Sequence, residues 1–138
     1  METKRTDLAY IAGLIDGEGC ITVKQHRSKA GLTRFDISVE VAMVANQPVQ
    51  LIQALFGGNI YHRPPNNRGK LDYSKIMLSG EKAATMLKLI LPYLLVKKPQ
   101  AELALRVVNA HPKYQRYTLV ERFLQEADAL AIKTLNSG

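Results

Sequence analysis

Cysteine is almost absent from this sequence, which has one, Cys20, and the three histidines show no metal-ligand spacing. A single cysteine cannot form an intrachain disulfide or a zinc site built on a cysteine cluster. No histidine or asparagine stands beside Cys20 in a pattern that would make it a nucleophile. Disulfide-stabilised folds are therefore excluded, and Cys20 is interpreted as an ordinary strand residue.

Long apolar segments are also lacking, because no run approaches the roughly 18 to 20 residues that a transmembrane helix needs. Residues 1–7 are too short and too charged to begin a signal peptide. We expect a protein without a membrane partner that works inside the cell, either in the cytoplasm or nucleoid of a prokaryote or within an organelle. At 138 residues and 46% hydrophobic, the chain is the size of one domain, 1–138, that can bury a core.

Negative charge is scarce. The 19 lysines and arginines outnumber the 12 aspartates and glutamates, so the formal net charge is +7, and such an excess favours a polyanionic partner such as nucleic acid. The basic residues cluster at 24–34, at 63–70 around a Pro-Pro-Asn-Asn turn, and at 97–98. Because these clusters fall on predicted strands and loops, they indicate a basic surface rather than one solvated helix.

Hydrophobic periodicity predicts an α+β fold of order αββαββα with a core over about 7–110 and a helical tail over about 117–135. Thr6 or Asp7 is the expected cap of the first helix, and Gly57-Gly58 should end the second. The predicted helices cover 7–16, 48–56, 79–91, 99–110 and 118–135, and the predicted strands cover 20–27, 34–44, 59–63 and 71–78. The last helix is predicted to pack through an apolar stripe formed by Val120, Phe123, Leu124, Ala127, Leu130 and Ala131.

The strands alternate so that a four-stranded antiparallel sheet has one apolar face and one polar, basic face. Such a sheet covers its apolar face with helices and leaves the other to solvent or to an anionic partner. A β-ribbon fits the DNA major groove, where these polar side chain types suit base edges. The predicted DNA-binding residues on the strands are Thr22, Lys24, His26, Arg34, Ser38, Glu40, Asn59, Tyr61, Arg63, Tyr73 and Lys75, joined by Arg68, Lys70 and Lys98 on loops.

Residues 8–19 combine small side chains at helical spacing with two carboxylates at the end, Asp16 and Glu18. A mid-helix glycine costs about 1 kcal/mol relative to alanine, whereas a stripe of small residues lets two helix backbones approach closely. We therefore expect this helix to pair with the same helix of a second copy. The predicted dimer interface consists of Ala9, Ala12, Gly13, Asp16 and Gly17.

The segment Ile11 to Gly19, Ile-Ala-Gly-Leu-Ile-Asp-Gly-Glu-Gly, resembles the nine-residue signature of the LAGLIDADG homing endonucleases, from which Ile11, Gly17 and Glu18 depart conservatively. The resemblance extends over about 7–110 and is closest to the single-motif, homodimeric branch. It rests further on Val44-Ala45-Asn46-Gln47, on Phe56-Gly57-Gly58-Asn59-Ile60-Tyr61, and on Leu91-Pro92-Tyr93-Leu94 with Lys97 and Gln100-Ala101.

This resemblance implies an intron-encoded homing endonuclease, a homodimeric hydrolase of phosphodiester bonds that cuts double-stranded DNA at a long pseudo-palindromic target. In that interpretation Glu18 and a backbone carbonyl at Gly17 or Gly19 hold Mg²⁺, and Mn²⁺ or Ca²⁺ could occupy the same site. Lys97, or Lys98 in its place, stabilises charge in the transition state, and Asn46 or Gln47 orients the attacking water. The alternative is a non-cleaving descendant that binds DNA or intron RNA, such as a group I intron maturase, which would not need the acids.

Overall fold

The computed structural model describes residues 3–63, 72–110 and 119–137, of which 110, 119–123 and 125 are described by their backbone alone. The predicted α+β order is confirmed. The helices are α1 (Arg5–Glu18), α2 (Gln47–Phe56), α3 (Glu81–Ile90), α4 (Lys98–Ala110) and α5 (Leu119–Ser137). The strands are β1 (Gly19–Arg27), β2 (Thr33–Met43), β3 (Asn59–Arg63) and β4 (Tyr73–Ser79). The predicted turn at 64–70, with Arg68 and Lys70, lies outside the described residues.

The four strands form one antiparallel sheet in the order β1-β2-β4-β3. Its register pairs Ile21 with Val39, and Val41 with Ile76, so that the apolar residues of neighbouring strands share one face. Helices α1 to α4 contribute side chains to the core on that face. The other face carries the polar residues and is called the outer face below.

Helix α1 packs on the sheet through Leu8, Ile11, Ala12 and Ile15, which are buried at the spacing expected of one helix face. Ala12 follows Leu8 by one turn and is fully buried within the subunit. Its predicted place in the dimer interface is therefore wrong, because it lies on the core side of the helix.

The ends of α1 differ from the predicted ones. The Leu8 amide donates to the Lys4 carbonyl at 3.1 Å, which starts the helix at Arg5 with Lys4 at the N-cap position and no side-chain cap bond. The predicted cap at Thr6 or Asp7 is therefore wrong. The helix also continues to Glu18, which places both carboxylates of the motif in its last turn. Gly19 then ends the helix, where a Cβ would lie 2.8 Å from the Ile15 Cα.

Helix α5 covers the β1 edge of the sheet and contacts α4, and its inward face consists of residues spaced by four. Ile132 is buried, Asp128 forms an ion pair with Arg106 at 2.8 Å, and the Asn136 side-chain amide donates to the Ile21 carbonyl at 2.7 Å. The last of these bonds satisfies a backbone group on an edge strand, which would otherwise be open to pairing with another chain.

The predicted packing stripe of α5 is wrong where it can be assessed, because Leu124 and Leu130 are 59% and 63% exposed. The face that packs instead carries Asp128, Ile132 and Asn136. Two of these residues are polar, so a search for apolar residues did not find this face. The side chains of Val120 and Phe123 lie outside the described part of the chain. No helix within the described residues is long and apolar enough to span a bilayer.

Candidate active site and nucleic-acid interface

Glu18 lies at the end of α1, exposed, beside the outer face of the sheet. It borders a shallow depression that it shares with Ala42, Val44, Tyr73 and Lys75. No hydrogen bond or ion pair from another described residue engages its carboxylate. Both oxygens of Glu18 are therefore available to a ligand.

Asp16, the other carboxylate of the motif, is fully engaged. Its Oδ1 accepts hydrogen bonds from the amides of Val96 and Lys97 at 3.1 and 2.9 Å, and its Oδ2 accepts one from Leu95 at 2.9 Å. These bonds tie the loop between α3 and α4 to the end of α1. Asp16 therefore has a structural role in the subunit, because both of its carboxylate oxygens already accept backbone hydrogen bonds.

The side chain of Lys97 adds hydrogen bonds from the same loop to the end of α1. Its ammonium group donates to the carbonyls of Ile15, at 3.0 Å, and Gly19. A cation at the C-terminal end of a helix is favoured by the helix dipole and by the free carbonyls there. The positive charge of Lys97 thus lies against the backbone on both sides of Glu18, whereas Lys98 is exposed at the start of α4.

Because Lys97 occupies the Gly19 carbonyl, only one of the two carbonyls considered as metal ligands remains available in this arrangement. Gly17 lies in the last turn of α1, where carbonyls have no partner within the helix. The pair Glu18 and Gly17 is therefore the better candidate for holding a cation.

Replacing Asp16 with alanine should lower the free energy of unfolding by about 1.5 to 3 kcal/mol, because backbone amides lose a charged acceptor. Urea denaturation measures this change. Asp7→Ala is the matched control, since that aspartate only adds a favourable charge to the first turn of the same helix and should cost at most about 1 kcal/mol. Equal losses in the two variants would contradict the role assigned to Asp16.

Asn46 and Gln47, the residues predicted to orient water, lie at the start of α2 and are both exposed. Asn46 occupies the N-cap position without a side-chain cap bond. Neither side-chain amide has a partner among the described residues. Both residues therefore remain candidates for orienting the attacking water.

One face of α1 is exposed and carries no bulky side chain at Ala9, Gly13 and Gly17. A Cβ added at Gly13 or Gly17 would meet nothing within 4 Å. The fold of a single subunit therefore gives no reason for either glycine, although each costs about 1 kcal/mol in a helix relative to alanine.

On the outer face of the first hairpin, an ionic cluster joins three neighbouring residues. The Asp36 carboxylate lies 2.8 Å from the Arg34 guanidinium and 3.4 Å from the His26 imidazole, and Lys24 is the cross-strand partner of Asp36. Sequence reasoning placed Arg34 and His26 on this face as base contacts but did not include Asp36. The alternation of residues along the two strands places Asp36 next to Arg34, His26 and Lys24, and this pattern could have revealed the cluster.

The second hairpin pairs cations with aromatic rings across the strands. The Lys75 ammonium lies 5.8 Å from the centre of the Tyr61 ring, and the Arg63 guanidinium lies 5.7 Å from that of Tyr73. Arg63 also donates a hydrogen bond to the Tyr73 hydroxyl at 3.1 Å, and this bond raises the pKa of Arg63. The four side chains thus form two ordered pairs, while Asn59 is exposed at the other end of β3.

Ser38 does not present its side chain to solvent as predicted. Its strand position is on the outer face, opposite Thr22 and Ser79, but the residue is only 2% exposed. The short side chain lies in the middle of the sheet among longer neighbours, including Lys24 and Met77. Its prediction as a direct base contact is therefore wrong for this arrangement, and Thr22 itself donates to the Ser38 carbonyl at 3.5 Å.

The family model described as LAGLIDADG endonuclease matches residues 11–103. The DNA endonuclease I-CvuI of Chlorella vulgaris is 28% identical over 130 residues, which cover 91% of this chain and 75% of that protein. A crystal structure of I-CvuI in complex with DNA in the presence of Mg is similar with a TM-score of 0.76 and 24% identity, over 97% of this chain and 84% of that one.

The archaeal intron-encoded homing endonuclease I-Vdi141I, complexed with DNA, has a TM-score of 0.58 at 15% identity, over 96% of this chain and 98% of that one. These structural likenesses establish the fold. The match to the family model covers most of the chain, including the motif helix, the sheet and the loop that carries Lys97. The protein belongs to the LAGLIDADG endonuclease family.

Proposed function

We propose that the protein is an intron-encoded homing endonuclease that cuts both strands of DNA at a specific long site, inside the cell, as a homodimer. The observation that carries this proposal is the free carboxylate of Glu18. It lies where the exposed glycine face of α1 meets the basic outer face of the sheet. A metal-dependent dimeric nuclease that cuts both strands needs a metal ligand, a DNA-binding surface and a contact with a second copy. Glu18 is a free carboxylate next to the exposed Gly17, and it shares a depression with Tyr73 and Lys75 of the outer face.

The dimer is proposed to form by contact of the exposed faces of two α1 helices, through Ala9, Gly13 and Gly17, with Asp16 at the end of each. In such an isologous pair the same residues meet across a two-fold axis. Among the described residues of one subunit, no three histidine, cysteine, aspartate or glutamate side chains are grouped to hold a metal ion. Pairing the helices would bring a second Glu18 to the same axis.

The donors at this site fit a hard cation, because a free carboxylate and a backbone carbonyl are oxygen ligands of the kind that Mg²⁺ prefers. Glu18 and the Gly17 carbonyl would hold the ion, and Mn²⁺ or Ca²⁺ could take its place. When bound, Mg²⁺ supplies neutralisation of the phosphate charge and a lowered pKa for a nearby water.

Other side chains are assigned to the substrate. Lys97, held beside Glu18 by two backbone carbonyls, is proposed to stabilise the extra negative charge that develops on the phosphate. Lys98 would add a phosphate contact. Asn46 or Gln47 would accept a hydrogen bond from the attacking water and so fix its direction.

The outer face is proposed to lie in the major groove and read bases. The ion pair of Arg34 with Asp36 and the two cation–aromatic pairs restrict the positions of some of its donors, which lowers the entropy lost on binding. The contacts would come from Thr22, Lys24, His26, Arg34, Glu40, Asn59, Tyr61, Arg63, Tyr73 and Lys75.

The length of the strands predicts the length of the target. Strands β1 and β2 have 9 and 11 residues, which at about 3.3 Å each span roughly 30 to 36 Å. At about 3.4 Å per base step this is roughly 9 to 11 base pairs for each subunit. We expect a pseudo-palindromic site of about 18 to 22 base pairs, whose central base pairs are selected by how easily the DNA deforms.

Selection of cleaved molecules from a random duplex library in Mg²⁺ tests both the endonuclease activity and the predicted length of the target. Recovered sites without a two-fold relation would contradict the symmetric sheet-in-groove arrangement. Specific binding without cleavage, or a preference for structured intron RNA over duplex DNA, would instead favour the non-cleaving alternative.

A further inference from the structure

The strands of the described sheet contain two acidic residues, Asp36 and Glu40, both on the outer face of β2. A carboxylate on a surface that binds DNA is unfavourable, because it faces phosphates and base acceptors. Each therefore needs a neutralising partner either in the protein or in the target. Asp36 has a neutralising partner in the protein, whereas Glu40 has none among the described residues.

Asp36 is neutralised within the protein. Arg34 and His26 lie 2.8 and 3.4 Å from its Oδ2, and Lys24 is opposite on β1. Asp36 thus limits the positions of the Arg34 and His26 side chains, and it has little capacity left to bind a base.

Glu40 has no such partner. Its cross-strand neighbours are Cys20 and Met77, neither of which carries a charge. Lys75, two residues further along β4 and opposite Ala42, has its ammonium 5.8 Å from the centre of the Tyr61 ring on β3, the strand farther from Glu40. No hydrogen bond or ion pair reaches the Glu40 carboxylate from the described part of the chain.

We propose that Glu40 selects cytosine at one symmetric pair of positions in the target, an inference that rests on the proposed DNA-binding function. In the major groove cytosine presents an N4 amino donor, whereas guanine presents the N7 and O6 acceptors and thymine presents the O4 acceptor. Adenine offers a donor beside an acceptor. A carboxylate without a cation is stabilised at cytosine, repelled at guanine and thymine, and less favoured at adenine, where the N7 acceptor lies beside the N6 donor. Most of the discrimination therefore comes from rejecting the wrong base.

Two variants with the same charge change separate this role from general electrostatics. Glu40→Gln and Asp36→Asn each remove one negative charge from the same face of the same strand. Binding of a randomised duplex library by each variant and by the unaltered protein, with EDTA present to prevent cleavage, gives the base preference at every position.

The unaltered protein should prefer cytosine by about 5- to 150-fold at one symmetric pair of positions, which is the discrimination of a good side-chain-to-base contact. Glu40→Gln should lose that preference and favour adenine there, because a glutamine amide matches the N6 and N7 edge. Asp36→Asn should tighten binding to all sequences and make it more salt-dependent, because it removes one negative charge from a surface that faces phosphates.

Thermal melting checks that each variant is folded, and Glu40→Ala, which has no amide to favour adenine, should lose the cytosine preference without gaining another. A uniform gain in affinity for Glu40→Gln, with the base preferences unchanged, would overturn the proposal while leaving the endonuclease function intact. If the unaltered protein selects no sequence at all, the proposed function fails together with it.

Discussion

Glu18→Gln should reduce DNA cleavage to background while leaving affinity for the target within about threefold. Glutamine keeps the size and shape of the side chain but loses the charge that holds a divalent cation. The basic outer face is unchanged, so binding, which is dominated by phosphate and base contacts, should persist. Nicking of a supercoiled plasmid carrying the target measures cleavage, and gel retardation of the same site measures affinity.

Glu102→Gln is the control, because this glutamate is exposed on α4 and its replacement makes the same change in net charge. It should cleave at the normal rate. Normal nicking by Glu18→Gln would refute the assignment of Glu18 as the metal ligand.

Gly13→Leu should convert the proposed dimer to a monomer without unfolding the subunit. A Cβ at residue 13 meets nothing within 4 Å in one subunit, and leucine is a better helix former than glycine by almost 1 kcal/mol. The monomeric subunit should therefore be at least as stable as the unaltered subunit on its own. Stabilisation that comes from binding a partner is lost. Sedimentation velocity should show one monomeric species, and binding to the full-length target should fall to that of a half-site.

Gln50→Leu serves as the control for Gly13→Leu, since it places the same side chain on an exposed part of α2 and should remain dimeric. A dimeric Gly13→Leu protein, or an unaltered protein that sediments as a monomer, would exclude an interface through α1.

Most of the fold could be predicted from sequence because local patterns specify it. Alternation along β1 and β2 gave the two faces of the sheet, and Gly57-Gly58 marked the end of α2. The family match further confirms the significance of the Ile11 to Gly19 segment. Each of these signals lies within a dozen residues, so that a single sequence is sufficient to detect it.

The contacts that sequence reasoning missed or placed wrongly are ones that no local pattern encodes. Asp16 bonds to amides about 80 residues away, and nothing near either segment indicates this pairing. Ser38 has the correct strand phase but is covered by its neighbours, which depends on the lengths of side chains on adjacent strands. The inward face of α5 carries Asp128, Ile132 and Asn136, whose partners lie on α4, in the core and on β1. The more conspicuous leucines at 124 and 130 are exposed.

The bonds between Asp16, Lys97 and the end of α1 have a mechanical consequence. Two segments distant in sequence are joined there by hydrogen bonds in both directions, so we expect them to move together. Any rotation of α1 against a partner carries Lys97 along and preserves its alignment with Glu18. A change in the orientation of one subunit relative to the other would therefore displace Glu18 and Lys97 together. Both residues would then be misaligned with the DNA by the same movement.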